Sequence, residues 1–138
     1  MKKIYIGGSM YFAKEMIETQ EYFKKRNYQV FIPVDAQECL NNPSLSMNDE
    51  HCDKFDVMRD SMEKLAQSDV FLVLNYSKNG EDGYIGGSVL IELGLAYFLK
   101  KKTYLLFPPP IKERVRYTQE ILHMKPIILN GDLEKITY

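Results

Sequence analysis

The segment Val70-Phe71-Leu72-Val73-Leu74 (VFLVL) is five consecutive apolar residues without a polar position. A strand with one face in water alternates polar and apolar side chains. An unbroken β-branched and aromatic run instead fits a central parallel strand covered on both faces. Before it, a helical pattern runs from about Asp53 to Gln67, with Phe55, Met58, Met62, Leu65 and Ala66 as its apolar stripe. After it come a glycine-bearing polar loop, Asn75 to Gly87, and a helix from Ser88 to Leu99. A further strand, Thr103 to Phe107 (TYLLF), is stopped by Pro108-Pro109-Pro110.

The rest of the chain repeats this alternation. Lys3 to Ile6 (KIYI) reads as a buried strand ended by Gly7-Gly8. A helix follows from about Met10 to Arg26, with Met10, Ala13, Ile17 and Phe23 inward and Asn27 as its stop. Tyr28 to Ile32 is a second strand, closed by Pro33. Ala36 to Asp49 lacks periodicity and reads as a loop with one helical turn. Lys112 to His123 reads as a late helix and Pro126 to Leu129 (PIIL) as the last strand. Alternating strands and helices predict an α/β protein with an open sheet wound on both sides. The expected architecture is a flavodoxin-like or Rossmann-like three-layer sandwich. Its five-stranded parallel sheet has the order 2-1-3-4-5, in a single domain over residues 1–138.

Bulk composition narrows the function classes. The 138 residues are 45% hydrophobic and 27% charged, with a formal net charge of −1. Lys24-Lys25-Arg26 and Lys100-Lys101-Lys102 fall where helices end and answer the helix dipole, so no DNA or RNA partner is expected. No apolar run approaches the roughly 20 residues of a membrane span. Met1-Lys2-Lys3 precedes only three apolar residues, so no leader is expected and the reducing cytoplasm is the default location. Cys39 and Cys52 are too few for a disulfide scaffold. His51 and Cys52 are chain neighbours that point different ways, so no metal site is expected.

In such sheets ligands bind beyond the carboxyl ends of the strands, where the strand order reverses, here between strands one and three. Gly7-Gly8-Ser9-Met10-Tyr11 and Asn75 to Gly87 lie there. Gly7-Gly8-Ser9 is either a tight turn with Ser9 as helix cap, or a cradle for a sugar or phosphate. It matches neither the Walker loop nor the dinucleotide fingerprint. Glu92, one turn into the following helix among Leu90, Ile91, Leu93 and Leu95, is either an acid answering the dipole or a catalytic carboxylate.

The stretches KIYIGGSMYF, MRDSMEKLAQSDVFLVLN and GGSVLIELGLAYFLKKKTYLLF, in that order over about Lys3 to Pro108, resemble the nucleoside 2-deoxyribosyltransferase superfamily. That group includes the deoxynucleoside 5′-monophosphate N-glycosidases. The most specific part is Gly86-Gly87-Ser88 through Glu92-Leu93-Gly94 and Ala96. The resemblance implies that Glu92 is a nucleophile attacking C1′ of the sugar, with a glycosyl-enzyme ester resolved by a second base or by water. It implies an aromatic residue orienting the Glu, Tyr5 or Tyr11, and an assisting Asp, for which Asp60 is the nearest match. The Asp60 spacing to Asp69 is one residue longer than the family pattern, and Val89 stands where Thr is frequent. Asp69 itself reads as a turn or cap residue, and Asp82 is the possible second acid of the loop.

Gly7, Gly8, Ser9, Tyr11, Gly86, Gly87 and Ser88 would form the sugar and phosphate site, and Gly94 would keep the helix flank clear for close packing. The partner is then a small nucleoside or nucleotide, without metal or redox cofactor. A homodimer or higher homo-oligomer is implied, with Tyr138 completing a neighbour's site. The alternative is a nucleotide-binding or sensor module of the same fold with little catalysis.

Overall fold

The computed structural model describes residues 1–137, so the expectation at Tyr138 lies outside the described residues. Five strands, β1 (Lys3–Gly7), β2 (Gln29–Phe31), β3 (Val70–Val73), β4 (Lys102–Leu105) and β5 (Ile127–Ile128), form one sheet of order β2-β1-β3-β4-β5. Every pairing is parallel. Every residue of β3 is buried, as its unbroken apolar run requires.

The two-residue period of a strand divides the core into two layers. Ile4, Ile6, Val70, Leu72 and Tyr104 pack against Met16 and Phe23 of α1 (Ala13–Lys24). Tyr5, Phe71, Val73 and Leu105 face the other way. They meet Leu65 of α4 (Val57–Gln67), Val89, Leu93 and Ala96 of α5 (Gly87–Phe98), and Ile121 of α6 (Thr118–His123). Fully burying each such aliphatic or aromatic side chain is worth about 1.5–3 kcal/mol, so the sheet and its flanking helices hold one another. Both α1 and α5 end in a left-handed residue, Asn27 (φ 68°) and Lys100 (φ 58°). The next amide then reaches five residues back, Tyr28 to the Phe23 carbonyl at 3.1 Å and Lys101 to the Ala96 carbonyl at 2.9 Å.

Three segments differ from the sequence expectation. Ala36 to Asp49 contains a short helix, α2 (Ala36–Asn41), and a 3-10 turn over Pro43–Met47. The helix expected over Asp53 to Gln67 is two, α3 (Asp49–Phe55) and α4, broken at Asp56. Asp56 takes φ 45°, a left-handed conformation that Asp tolerates, so no glycine or proline signals the break. The late helix is confined to Thr118–His123. Before it the chain makes isolated turns, with Arg114 held by the Glu81 carboxylate and Tyr117 donating to the Ile85 carbonyl. Asp69 is a turn residue as expected, accepting from the Lys3 amide at 2.9 Å. Among the described residues no helix is long and apolar enough to cross a membrane.

Candidate active site

The carboxyl end of β1, the end of the loop after β3, the first turns of α4 and α5 and the segment after β2 line a cavity of about 230 Å³. Glu92 forms part of its wall. On α5 it shares the sheet-facing stripe with Val89, Leu93 and Ala96, the spacing of one helix face. That placement leaves only 5% of the residue exposed. Burial pushes the Glu92 carboxyl up to about 7 from the usual 4.5, while a hydrogen bond from Tyr5 pulls it back. Glu92 Oε2 is buried with no hydrogen-bond partner among the described residues.

Tyr5 reaches Glu92 because the odd-numbered residues of β1 face α4 and α5. Its hydroxyl is shared with Ser61 and Glu92, and its ring packs edge-on to Phe71 at 5.6 Å. Burial, then the Glu92 charge, hold this phenol well above its usual range, so it stays a neutral donor. Gly7 lies beneath the pair: a Cβ there would stand 3.0 Å from the Phe71 ring and 3.7 Å from Glu92 Oε1. Gly8 has φ 155°, and a Cβ would stand 2.8 Å from the Leu74 carbonyl oxygen, so only glycine fits.

Ser9 takes the helix-cap role expected of it. Its Oγ accepts from the Tyr11 amide at 3.3 Å as a cap, and the residue also lines the cavity. The same oxygen accepts from Lys78 Nζ at 3.1 Å. Tyr11 is half exposed and outside the wall; its ring lies 4.2 Å under the Lys78 ammonium, with the Tyr84 ring 4.7 Å away on another side. Burial among these groups lowers the Lys78 pKa. Gly86, Gly87 and Ser88 line the cavity, and no side chain caps the first amides of α5.

Asp60 is not in the wall. Its Oδ2 lies 2.8 Å from Lys64 Nζ and accepts from the Val34 amide at 3.2 Å. A helix turns about 100° per residue, so its neighbour Ser61 faces the cavity instead. Asp82 is held by Ser77 Oγ at 2.6 Å in the loop after β3 and does not line the cavity. Gly94 does not serve close packing within the chain, since a Cβ there would meet nothing within 4 Å.

The loop after β3 is anchored by buried Asn75. Asn75 Nδ2 donates to the Phe107 carbonyl at 2.7 Å, and Asn75 Oδ1 accepts from the Phe107 amide at 2.9 Å. This brings Lys78 and Tyr84 to the cavity mouth, a placement that the polar, aperiodic loop sequence did not signal. A second unsignalled group lies in the wall after β2. There His51 Nε2 is 2.8 Å from Asp35 Oδ2, and the Cys39 thiol donates to the same oxygen at 3.4 Å. Burial, then the Asp35 carboxylate, pushes the Cys39 thiol up to about 12. Asp35 and Cys52 both line the cavity. Sequence alone paired His51 with adjacent Cys52; the fold pairs it with residues 12 and 16 positions away.

No protein-family profile matches the chain, and neither does any curated protein. Among solved structures it is similar to the Clostridium botulinum CMP N-glycosidase BcmB, with a TM-score of 0.50. The two are 20% identical, over 92% of this chain and 84% of that one. The likeness is one of fold, and the fold of this chain is the five-stranded parallel sandwich expected from the sequence.

Proposed function

We propose that this chain, acting as one domain, cleaves the N-glycosidic bond of a nucleoside 5′-monophosphate with Glu92 as the nucleophile. The observation that carries this reading is the buried Glu92 carboxylate, which lines the cavity at the carboxyl edge of the sheet with Oε2 unpartnered. Ionised Glu92 attacks C1′, the C1′–N bond breaks, and its electron pair leaves with the base, which takes a proton from solvent. Water then attacks C1′ and splits the glycosyl ester, returning the carboxylate and releasing the sugar phosphate. A second base in place of water makes the same site a transferase. Tyr5 and Ser61 orient Glu92, and the first turn of α5 lies beside the sugar.

Lys78 supports the phosphate. Its ammonium rests on a hydroxyl and two rings at the cavity mouth rather than on a carboxylate. The uncapped first amides of α5 present partial positive charge nearby. The CMP N-glycosidase of like fold supports a nucleotide substrate. An oligomer is supported by the outer face of α5, where Ile91, Tyr97 and Phe98 are exposed.

The rival reading, a binding module with little chemistry, draws on Asp60, whose carboxylate is occupied by Lys64 and Val34 and does not reach the cavity wall. The discriminating experiment incubates the protein with nucleosides and their 5′-monophosphates, follows free base by chromatography, and measures binding by calorimetry. Base release that is absent in Glu92→Gln supports catalysis. Binding without base release by the unmutated chain leaves the sensor reading.

A further inference from the structure

Asp35, Cys39 and His51 come from three different elements, the turn after β2, α2 and α3, yet their donor atoms all lie within 4.8 Å of one another. Two of them converge on a single atom, Asp35 Oδ2, at 2.8 Å and 3.4 Å. Donors held roughly 2.0–2.3 Å from a tetrahedral zinc ion stand about 3.3–3.7 Å apart, so an ion enters this cluster with only small side-chain shifts. Thiolate, imidazole and carboxylate together suit zinc rather than magnesium or calcium, which take oxygen alone.

The surroundings also call for a tie. Neither the 3-10 turn over Pro43–Met47 nor α3 contributes a buried residue to the core, and α2 contributes only Ala36 and Cys39. A stretch with so little apolar anchorage is where a metal can supply folding free energy. Asp35 and Cys52 line the cavity, so a fourth coordination position would open toward it.

The geometry points to a zinc site formed by Asp35, Cys39 and His51, which pins the wall after β2 and leaves one position of the ion open toward the cavity. Binding releases the thiol proton of Cys39 to solvent, and His51 ligating through Nε2 keeps its ring proton on Nδ1. The site does not use Glu92, so it stands or fails independently of the proposed reaction.

The test uses the full chain with any affinity tag removed, dialysed against zinc and then against metal-free buffer. Elemental analysis is expected to find one zinc per chain, and the melting temperature to rise with zinc concentration. Cobalt loaded in its place is expected to give a thiolate-to-cobalt charge-transfer band with tetrahedral d–d bands. Cys39→Ser and His51→Gln are each expected to lose metal and band with the far-ultraviolet circular dichroism unchanged, while Cys52→Ser and Glu92→Gln keep both. Two results overturn the site: no retained metal in the unmutated chain, or one equivalent that survives in both variants. Should either variant fail to fold, the cobalt spectrum of the unmutated chain decides, because absence of the thiolate band at one equivalent refutes Cys39 ligation.

Discussion

Two sides of one cavity are built on opposite principles. The side carrying Glu92 and Tyr5 rests on β1, β3 and α5, whose facing side chains pack into one buried apolar layer. The opposite wall, residues 33–56, has few core residues and is tied by polar contacts around Asp35 and by the Val34 amide on Asp60. Cores are bistable or rigid rather than continuously deformable, whereas polar ties can be exchanged singly. The carboxylate proposed to react thus sits on the fixed side and the facing wall on the adjustable one.

Breaking the fixed side at its charge gives the largest effect. Glu92→Gln is expected to lower base release by at least about ten-thousand-fold in kcat. It should also stabilise the protein in alkali. Burial raises the Glu92 carboxyl from 4.5 to about 7, so the folded chain holds this proton more tightly than the unfolded one. The stability tied to that proton is complete below about 4.5 and is lost as pH rises through about 7. Relative to the unmutated chain, Glu92→Gln should therefore gain nothing at pH 4 and about 3 kcal/mol at pH 8. Urea unfolding at the two pH values measures this.

The Lys78 test sharpens which end of the cavity reads the substrate. Lys78→Met is expected to raise KM for a 5′-monophosphate about 10–100-fold and to leave the nucleoside unchanged, since a charge-assisted hydrogen bond contributes about 1.5–3 kcal/mol. Initial rates on the matched pair decide it; equal losses on both would remove the phosphate role. Tyr5→Phe should lower kcat by roughly tenfold with KM little altered. The acid limb of the rate profile, expected near 7, should move upward because the hydrogen bond that lowers Glu92 is gone. A limb that stays in place would mean that Tyr5 does not act through Glu92.

The smallest effect is expected on the adjustable side. In chelator-treated protein, His51→Ala should cost about 1–2 kcal/mol of stability and raise KM while kcat holds. Denaturant melts and steady-state kinetics on the same preparation test this. A kcat loss like that of Tyr5→Phe would erase the contrast between the two sides.

How much was legible follows the same division. VFLVL announced a central parallel strand, because residues buried on both faces leave no polar position, KIYI and TYLLF supplied its neighbours, and the glycines of Gly7-Gly8 and Gly86-Gly87 fall at the edge where the cavity lies. Glu92 stood out because a lone acid on an apolar helix stripe is itself a signal, although the residues alone left open a dipole role. Asp60 shows the limit. An error of one residue turns a helical side chain by about 100°, and Ser61 rather than Asp60 meets Tyr5. The break at Asp56 was equally silent, since Asp enters the left-handed region without the glycine that usually betrays it.

By itself the sequence determined the sheet, its faces and the carboxylate at its mouth, because burial on a strand or helix repeats with a fixed period and writes itself into composition. Only the tertiary structure decided that Tyr5 bonds Glu92, that Lys78 leans on Ser9 across 69 positions, and that His51 and Cys39 share one oxygen of Asp35. Those contacts depend on where loops of irregular backbone return. Irregular backbone has no period for a sequence to carry.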